Sequence, residues 1–464
     1  MNKIRLSLGL LCCILGFFSS GAQELPNIIL IVADDLGYGD LGFQGSKQIP
    51  TPNIDKLAKE GVVFTNGYVS SSVCSPSRAG LMTGKNQLRF GYFDNTGPNQ
   101  TGFDPDYKGL PLTETTVADE LKSLGYITGL MGKWHLGEAS HFNPLERGFD
   151  EFWGFLGGGH DYVTANPDVQ DLVSPIQCSY KSPELLTYMT DDCGNESVDF
   201  IKRHKGEPFF LFSSFNAPHS PMQAIEADLK LFQHIKGDLR RTYCAMVYRL
   251  DVNVGKIIKT IEDGGIKDNT LVVFISDNGG PADLIANGSI NAPLRGQKTT
   301  LLEGGIRVPF IMNWPKKLTA GQVVNTPVSS LDLYPTFVNM AGGKIDKQAD
   351  LDGVNMLPFL AGETEEIPHE SMKWRYTVGA AIREGDWKLI RLPDRLPMLY
   401  NLSEDISEQN DLALENLELT RDLLKKLGRW DVYLPHPVFH EPAGWRRRHL
   451  GFYDVEYQLT QPDL

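Results

Sequence analysis

The sequence predicts an α/β protein, a large sheet sandwiched by helices, with a smaller C-terminal α+β domain made of an antiparallel sheet and a helix. Three observations carry that prediction. Apolar runs rich in β-branched and aromatic residues recur as "NIILIVA", "YITGLMG", "PFFLFSSF" and "TLVVFIS". Amphipathic segments such as "TPNIDKLAKEG" and "TVADELKSLG" alternate with them. Beyond about residue 360 the texture changes to short strand-like pieces, "GAAIREGDWKLIRL" and "PMLYNLSED", and a helix-like piece, "NDLALENLELTRDLLKKLGRWDVYL". Strands that are apolar along their whole length need cover on both faces, and intervening helices supply it.

The first residues read as a leader. Lys3 and Arg5 precede an apolar run from Leu6 to Phe18 that is short for a membrane span, and "SSGA" offers a cleavage site after Ala22. Residues 1–22 read as a signal peptide, and the protein as exported, periplasmic or secreted, with no membrane span. The remainder divides into a large domain, 23–360, and a C-terminal α+β subdomain, 361–464, with the boundary near "LAGETEEIPHE". In the first amphipathic segment Thr51 is the expected N-cap, with Pro52 in the first turn. In the second, Val117, Leu121 and Leu124 share one face. The formal charge of -14 argues against a nucleic-acid partner. An anionic substrate must therefore be met by cations gathered in a pocket. Cys178 and Cys193 flank a loop-like segment and either pair in an oxidising compartment or stay free, while Cys244, in an apolar helical run, reads as a buried thiol.

All four apolar runs end in polar residues. "NIILIVA" leads into Asp34 and Asp35, and "TLVVFIS" into Asp277 and Asn278. "YITGLMG" delivers Lys133 and His135, and "PFFLFSSF" delivers Asn216 and His219. Taken singly, each has an ordinary explanation: adjacent acids cap helices or form solvated turns, and a lone histidine is usually structural. Ligands in open α/β sheets bind outside the carboxyl ends of strands, so four such endings point to one site. Three carboxylates and an amide oxygen make an all-oxygen set suited to calcium or magnesium and poor for zinc. Lys133, His135, His219 and Lys298, the last in the glycine-shaped loop "LRGQKTTLLEGGIRVP", would add an oxyanion pocket.

The segment "SSVCSPSRAGLMTGK" supplies a further group. A helix is expected just past Pro76, which puts Cys74 at its N-terminus, where backbone N–H groups favour anions. A buried inert thiol is the ordinary alternative, but the flanking Ser72, Ser75, Ser77 and Arg78 are a polar setting. From the residues alone, Cys74 is a nucleophile beside a hard metal and an oxyanion pocket.

These residues resemble a known family. "CSPSRAGLMTGK" is similar to the signature of the formylglycine-dependent (type I) sulfatases, with only the final Lys85, commonly Arg, departing. The likeness continues through "NIILIVADDLGYGDLG", "GKWHLG", "NAPH", "SDNGG", "LRGQK", "GGIRVP", "REGDWKLI" and "LYNL", nearly the whole mature chain. The resemblance implies an alkaline-phosphatase-like fold and a maturation enzyme that oxidises Cys74 to formylglycine, so that the cysteine is an aldehyde precursor. It implies calcium (Ca2+) held by Asp34, Asp35, Asp277, Asn278 and the modified Cys74. Arg78, Lys133, His135, His219 and Lys298 become the catalytic and sulfate-binding set. In the implied reaction a hydroxyl of the hydrated aldehyde, its ionisation favoured by Arg78, attacks sulfur. His219, with Lys298 nearby, protonates the departing oxygen, and His135 deprotonates the second hydroxyl to release sulfate.

The branch it resembles, that of N-acetylgalactosamine-6-sulfatase and arylsulfatase A, implies a sulfated saccharide substrate with a galactose-type sugar. His160, Asp161 and Arg295 are expected substrate contacts. Some relatives have a serine where this chain has Gly159, just before His160. The same residues leave two other readings open: a phosphoesterase or phosphonate monoesterase, and an inactive binder of sulfated glycans. Specificity is expected in "RFGYFDNTGPNQTGFDPDY" and "FLGGGHDY".

Overall fold

Each of the long apolar runs becomes a strand with both faces covered. The computed structural model describes residues 25–97, 105–163, 175–181, 187–282, 287–345, 349–440 and 443–456. The expected leader, 1–22, lies outside them. In chain order the strands are β1 (Asn27–Ala33), β2 (Val62–Phe64), β3 (Gly67–Tyr68), β4 (Ile127–Lys133), β5 (Glu151–Phe155), β6 (Gln177–Cys178), β7 (Phe209–Ser214) and β8 (Thr270–Ser276). They continue with β9 (Phe310–Asn313), β10 (Gln322–Val324), β11 (Val328–Ser329), β12 (Ser371–Tyr376), β13 (Gly379–Glu384), β14 (Trp387–Arg391) and β15 (Met398–Asn401).

The main sheet has the order β10-β2-β9-β8-β1-β7-β4-β5-β6. Its central neighbours β8, β1, β7, β4 and β5 are all parallel. Alternate residues of β1 face different cores. Ile28, Leu30 and Val32 pack with Val117, Leu121 and Phe337, whereas Ile29 and Ile31 pack with Phe200, Val247 and Ile257. Burying each such side chain is worth about 1.5–3 kcal/mol, so the period-2 alternation fixes the register against a one-residue slip.

Local details follow the chemistry, with two departures. The helix at Pro52–Lys59 starts after Thr51 as expected, but Thr51 makes no side-chain cap. Its hydroxyl accepts from Gly42 N (2.8 Å) and donates to Asp55 Oδ1 (3.0 Å). Asp251, from the helix Asp238–Asp263, takes the free N–H groups of Asn53 (3.0 Å) and Ile54 (2.8 Å) instead. The C-terminal helix-like piece is helical only over Leu417–Asp431. Before the helix, Asp405 and Asp411 accept from the backbone N–H groups of Asn410 and Ala413, an alternative to the helical ladder. Cys178 and Cys193 are free thiols, and Cys193 Sγ donates to Met131 O at 3.2 Å. Cys244 is buried in its helix. Among the described residues no helix is long and apolar enough to cross a membrane.

The strands β12 to β15 form an antiparallel sheet in chain order. One face carries Ala380, Ile382, Leu389 and Leu399 against Leu423 and Leu427 of the helix Leu417–Asp431. The other carries Trp374, Ala381 and Ile390 against Val73, Leu301 and Leu302. A polar tie crosses the same contact. Lys388 Nζ lies 2.8 Å from Glu303 and 2.8 Å from Glu408, and all three side chains are wholly buried. Val73 adjoins Cys74, and Leu301 is close in sequence to Lys298, so this sheet braces two segments that the site uses.

Removing one partner of a buried ion network strands the others. Lys388→Ala should therefore cost about 3–5 kcal/mol, read as a lower midpoint in denaturant unfolding. A loss below about 1 kcal/mol, the scale of an exposed pair, would mean the tie is not structural.

Candidate active site

The parallel strands bring distant residues to one sheet edge. Asp34 and Asp35 follow β1, and Asp277 and Asn278 follow β8. Lys133 ends β4, with His135 two residues on, and Asn216 and His219 lie just past β7. The helix at Cys74–Thr83 meets this edge with its first turn, and every one of its residues is buried. It starts at Cys74, before Pro76 and not after it. Proline inside the first turn removes no helical hydrogen bond, so its position does not fix the start. The backbone of Lys298 and Thr299 donates to Gly280 O (3.1 Å) and Ser72 O (2.8 Å), which seats the Lys298 loop between two of these segments.

Each carboxylate has its own cation. Lys133 Nζ donates to Asp34 Oδ2 (2.5 Å), Arg78 Nε to Asp277 Oδ2 (2.8 Å) and Lys298 Nζ to Asp35 Oδ2 (2.9 Å). The first two pairs have no exposed side-chain surface. Arg78 Nη1 also donates to Ser214 Oγ (2.7 Å) and to the Lys133 carbonyl (3.1 Å). Burial opposes ionisation of Asp35, but Lys298 and His219 outweigh it and lower its pKa to about 2. For Asp277, burial and the neighbouring Asp34 win over Arg78 and raise the pKa to about 6.

Cys74 sits among these pairs. Its Sγ donates to Asp34 Oδ1 at 3.5 Å and lies 3.2 Å from Lys298 Nζ. Burial pushes the thiol pKa well up, and Lys133 and Lys298 offset only part of that. The thiol is protonated at neutral pH, a poor nucleophile as encoded.

The two histidines are held in defined tautomers. His135 Nε2 lies 3.0 Å from the Thr96 carbonyl. A carbonyl only accepts, so Nε2 carries the proton and the buried Nδ1, which has no hydrogen-bond partner, keeps its lone pair. Burial, with Lys133 nearby, holds the His135 pKa well below the usual value. His219 Nδ1–H likewise donates to the Ser220 carbonyl (2.6 Å), leaving Nε2 3.6 Å from Asp35 Oδ2. Burial lowers the His219 pKa to about 3, against the pull of Asp35. A Cβ on Gly158 would fall 2.8 Å from His135 Nε2, and one on Gly159 3.2 Å from His219 Cε1. The two glycines let both rings approach, and a serine at position 159 would crowd His219. Asp35 (φ 65), His135 (φ 61) and Thr299 (φ 76) all take left-handed backbone here, the kind of strain that concentrates at functional sites.

The donor set fits a hard cation. Oxygens of Asp34, Asp35 and Asp277 and the Cys74 sulfur lie within 4.8 Å of one another, all on buried residues. Asn278 Nδ2 donates to Asp35 Oδ1 (2.7 Å), while Asn278 Oδ1 is buried without a partner. Buried polar atoms are normally paired, and an unpaired amide oxygen beside three carboxylates suits calcium or magnesium. Arg78 Nη2 is a buried donor also left without a hydrogen-bond partner.

The three expected substrate contacts have these partners. His160 is wholly buried, its ring 5.2 Å from Phe155 and its Nδ1–H donating to Asp161 O at 2.7 Å. Asp161 Oδ1 accepts from Gln223 (2.9 Å), and Arg295 donates to the Glu408 carbonyl (2.7 Å). None of the three is among the described residues lining the cavity above Asp35, His219 and Lys298. Sequence reasoning missed Ser214 and Thr96, whose contributions need the fold to be seen. It also passed over Trp445, Arg448 and Phe452, which line the cavity and whose run "GWRRRHLGF" is conspicuously basic in an acidic chain.

Known proteins are similar to this chain. The sulfatase family profile matches residues 26–343, and an N-sulphoglucosamine sulphohydrolase C-terminal profile matches residues 297–431. The chain belongs to the sulfatase family. Human N-acetylgalactosamine-6-sulfatase is 36% identical over 363 residues, 74% of this chain and 67% of the relative. The uncharacterized sulfatase YdeN of Escherichia coli is 32% identical over 410 residues, 75% of this chain and 68% of the relative. The crystal structure of Ps i-CgsB in complex with k-i-k-neocarrahexaose matches with a TM-score of 0.83 and 38% identity, covering 94% of this sulfatase and 99% of that chain. The phosphonate monoester hydrolase of Agrobacterium radiobacter, at 20% identity and a TM-score of 0.62 over 90% of this chain and 100% of its own, shares the fold alone.

The carboxylate cluster predicts a bound hard cation. Metal analysis of the purified sulfatase should find about one calcium or magnesium ion per chain, and Asp277→Ala should lose both the ion and nearly all turnover while staying folded. Stoichiometric zinc, or turnover indifferent to thorough chelation, would contradict this.

Proposed function

We propose that this sulfatase is exported and removes sulfate from a sulfated galactose-type saccharide, using a formylglycine that a maturation enzyme makes from Cys74. The observation that carries the reading is a protonated Cys74 enclosed by three cation–carboxylate pairs, with a buried donor, a lone pair and an amide oxygen unpaired beside it. An unmodified thiol so buried has no use for this machinery; the unpaired donor and lone pair are assigned to the two hydroxyls of a hydrated aldehyde, and the amide oxygen to the cation. The galactose-type assignment is supported by N-acetylgalactosamine in the description of one similar protein and neocarrahexaose in that of another.

Three carboxylates against three cations leave the cluster balanced, so a divalent ion makes it net positive toward an anionic ester. When bound by Asp34, Asp35, Asp277 and Asn278, calcium supplies a Lewis acid for the sulfuryl oxygens. The hydrated aldehyde at position 74 supplies the attacking hydroxyl. Arg78, held by Asp277 and Ser214, keeps Nη2 as an unpaired donor, which we assign to that hydroxyl to favour its ionisation. Lys133 and Lys298 offset charge on the sulfuryl group. His135 Nδ1, its lone pair fixed by the Thr96 bond, accepts the proton of the second hydroxyl. His219 Nε2 protonates the departing alcohol oxygen. In the free site that ring is neutral, and the negative charge of the ester raises its proton affinity.

Cys74 should react with an aldehyde-directed hydrazide when the protein is made beside a maturation enzyme, and the free aldehyde should be roughly 18 Da lighter than cysteine. Full activity in Cys74→Ala would refute the modification. The acid role separates substrates by leaving group. A sugar alkoxide is a poor leaving group and needs protonation, so His219→Ala should lose about 10²–10⁴-fold on a sugar sulfate and much less on nitrophenyl sulfate. Equal losses on both would make His219 a sulfate-binding group.

A further inference from the structure

The cavity that opens above Asp35, His219 and Lys298 has a volume of about 360 Å³, within the range of small-ligand clefts. Thr299 is one of the residues that line it. Its backbone has φ 76, in the left-handed region where a β-branched side chain is an outlier. Among the described residues only Thr377 shares that combination. Thr377 lies in the turn between β12 and β13, and its hydroxyl is 3.0 Å from His449 Nδ1. Thr299 has no such use: its Oγ1 is buried without a hydrogen-bond partner.

The loop is held without this side chain. Four successive backbone N–H groups fasten it. Lys298 N donates to Gly280 O (3.1 Å), Thr299 N to Ser72 O (2.8 Å) and Thr300 N to Gln297 O (3.0 Å). Leu301 N donates to the Tyr453 hydroxyl (2.7 Å). The adjacent Thr300 has a local task, since its hydroxyl accepts from Gln297 N (3.1 Å) and donates to Gln297 O (2.7 Å). The Thr299 hydroxyl closes no turn of this kind. Glycine takes left-handed backbone without steric cost, so the loop alone gives no reason for a threonine here. Strain and an unpaired buried oxygen are each unfavourable, and such features collect where a ligand makes use of them. The reacting groups are close by. Lys298, one residue earlier, lies 3.2 Å from Cys74 Sγ, and Ser72, which holds Thr299 N, is two residues before Cys74.

We propose that Thr299 is a specificity residue of this site, its hydroxyl forming a hydrogen bond with a hydroxyl of the sugar ring that carries the scissile sulfate. This rests on the saccharide sulfatase reading above. The sulfuryl oxygens only accept hydrogen bonds, and Lys133, Lys298 and the cation are already assigned to them. A threonine hydroxyl both donates and accepts, which matches a sugar hydroxyl. The correct sugar pairs the buried oxygen, and a ligand without that hydroxyl leaves it unpaired, which is how a polar site rejects an analogue.

The test is the ratio of kcat/KM on a galactose-series sugar sulfate to kcat/KM on nitrophenyl sulfate, which carries the sulfate and no sugar. In Thr299→Val, which keeps the branched shape and loses the hydroxyl, this ratio should fall by about threefold to tenfold, the scale of a lost neutral hydrogen bond. Thr299→Ser, which keeps the hydroxyl, should hold the ratio near the wild-type value. Thr299→Gly should lose the same selectivity yet melt no lower than the wild type, because glycine relieves the strained backbone. A ratio unchanged within about twofold in the valine and glycine variants would overturn the assignment while leaving the sulfatase reading in place. Equal losses on both substrates would overturn it too, by giving the hydroxyl to the sulfuryl group. So would a clear fall in the melting temperature of Thr299→Gly, which would make the side chain a support of the loop. Wild-type turnover of nitrophenyl sulfate but of no saccharide would instead remove the saccharide reading and the assignment with it.

Discussion

Three carboxylates buried within a few ångströms of one another are the constraint on which this molecule is organised. Charges of one sign cannot share a dry site unless each is compensated. Lys133, Arg78 and Lys298 compensate Asp34, Asp277 and Asp35 one to one. They come from a strand end, a helix and a loop that are far apart in the sequence. The sheet, the Cys74 helix and the Lys298 loop must therefore all be in register before the charges are safe to bury. Any element that drifts leaves a carboxylate unpaired, so the cluster that serves chemistry also penalises misfolded arrangements.

The remaining architecture keeps those elements in place. Parallel strand order sends four polar strand ends to one edge. Ser214, at the last position of β7, bridges Arg78 and the Lys133 carbonyl, so that a backbone group of one strand steadies the side chain of a helix. Behind the Lys298 loop, the C-terminal sheet contributes the buried tie of Lys388 to Glu303 and Glu408. Buried ion networks are costly and not an efficient route to stability. This one is found where a loop that cannot move freely is needed.

Much of this was legible in the residues. The apolar runs announced the strands because burial on both faces leaves no room for alternation. The polar endings announced the site because parallel topology allows only one edge for them to share. The partners of individual polar side chains were not legible. His160 and Arg295 carry groups able to bind a sugar or a sulfate, yet each is turned to a backbone carbonyl of the scaffold. The Thr51 cap and the start of the C-terminal helix failed for the same reason: distant or local carboxylates took the backbone N–H groups first. The hydrogen bond that a polar side chain makes depends on which competitor reaches it.

The sequence by itself determined the fold class, the family and the identities of the acids, cations and histidines that meet at the strand ends. These are carried by periodicity and by short contiguous motifs, which do not need the third dimension to be read. Only the tertiary structure decided which cation neutralises which carboxylate, which nitrogen of each histidine carries the proton, and that the end of the chain walls the cavity. Those are matters of ångström distances between residues up to hundreds of positions apart. The interior dielectric makes such distances count, and no local pattern encodes them.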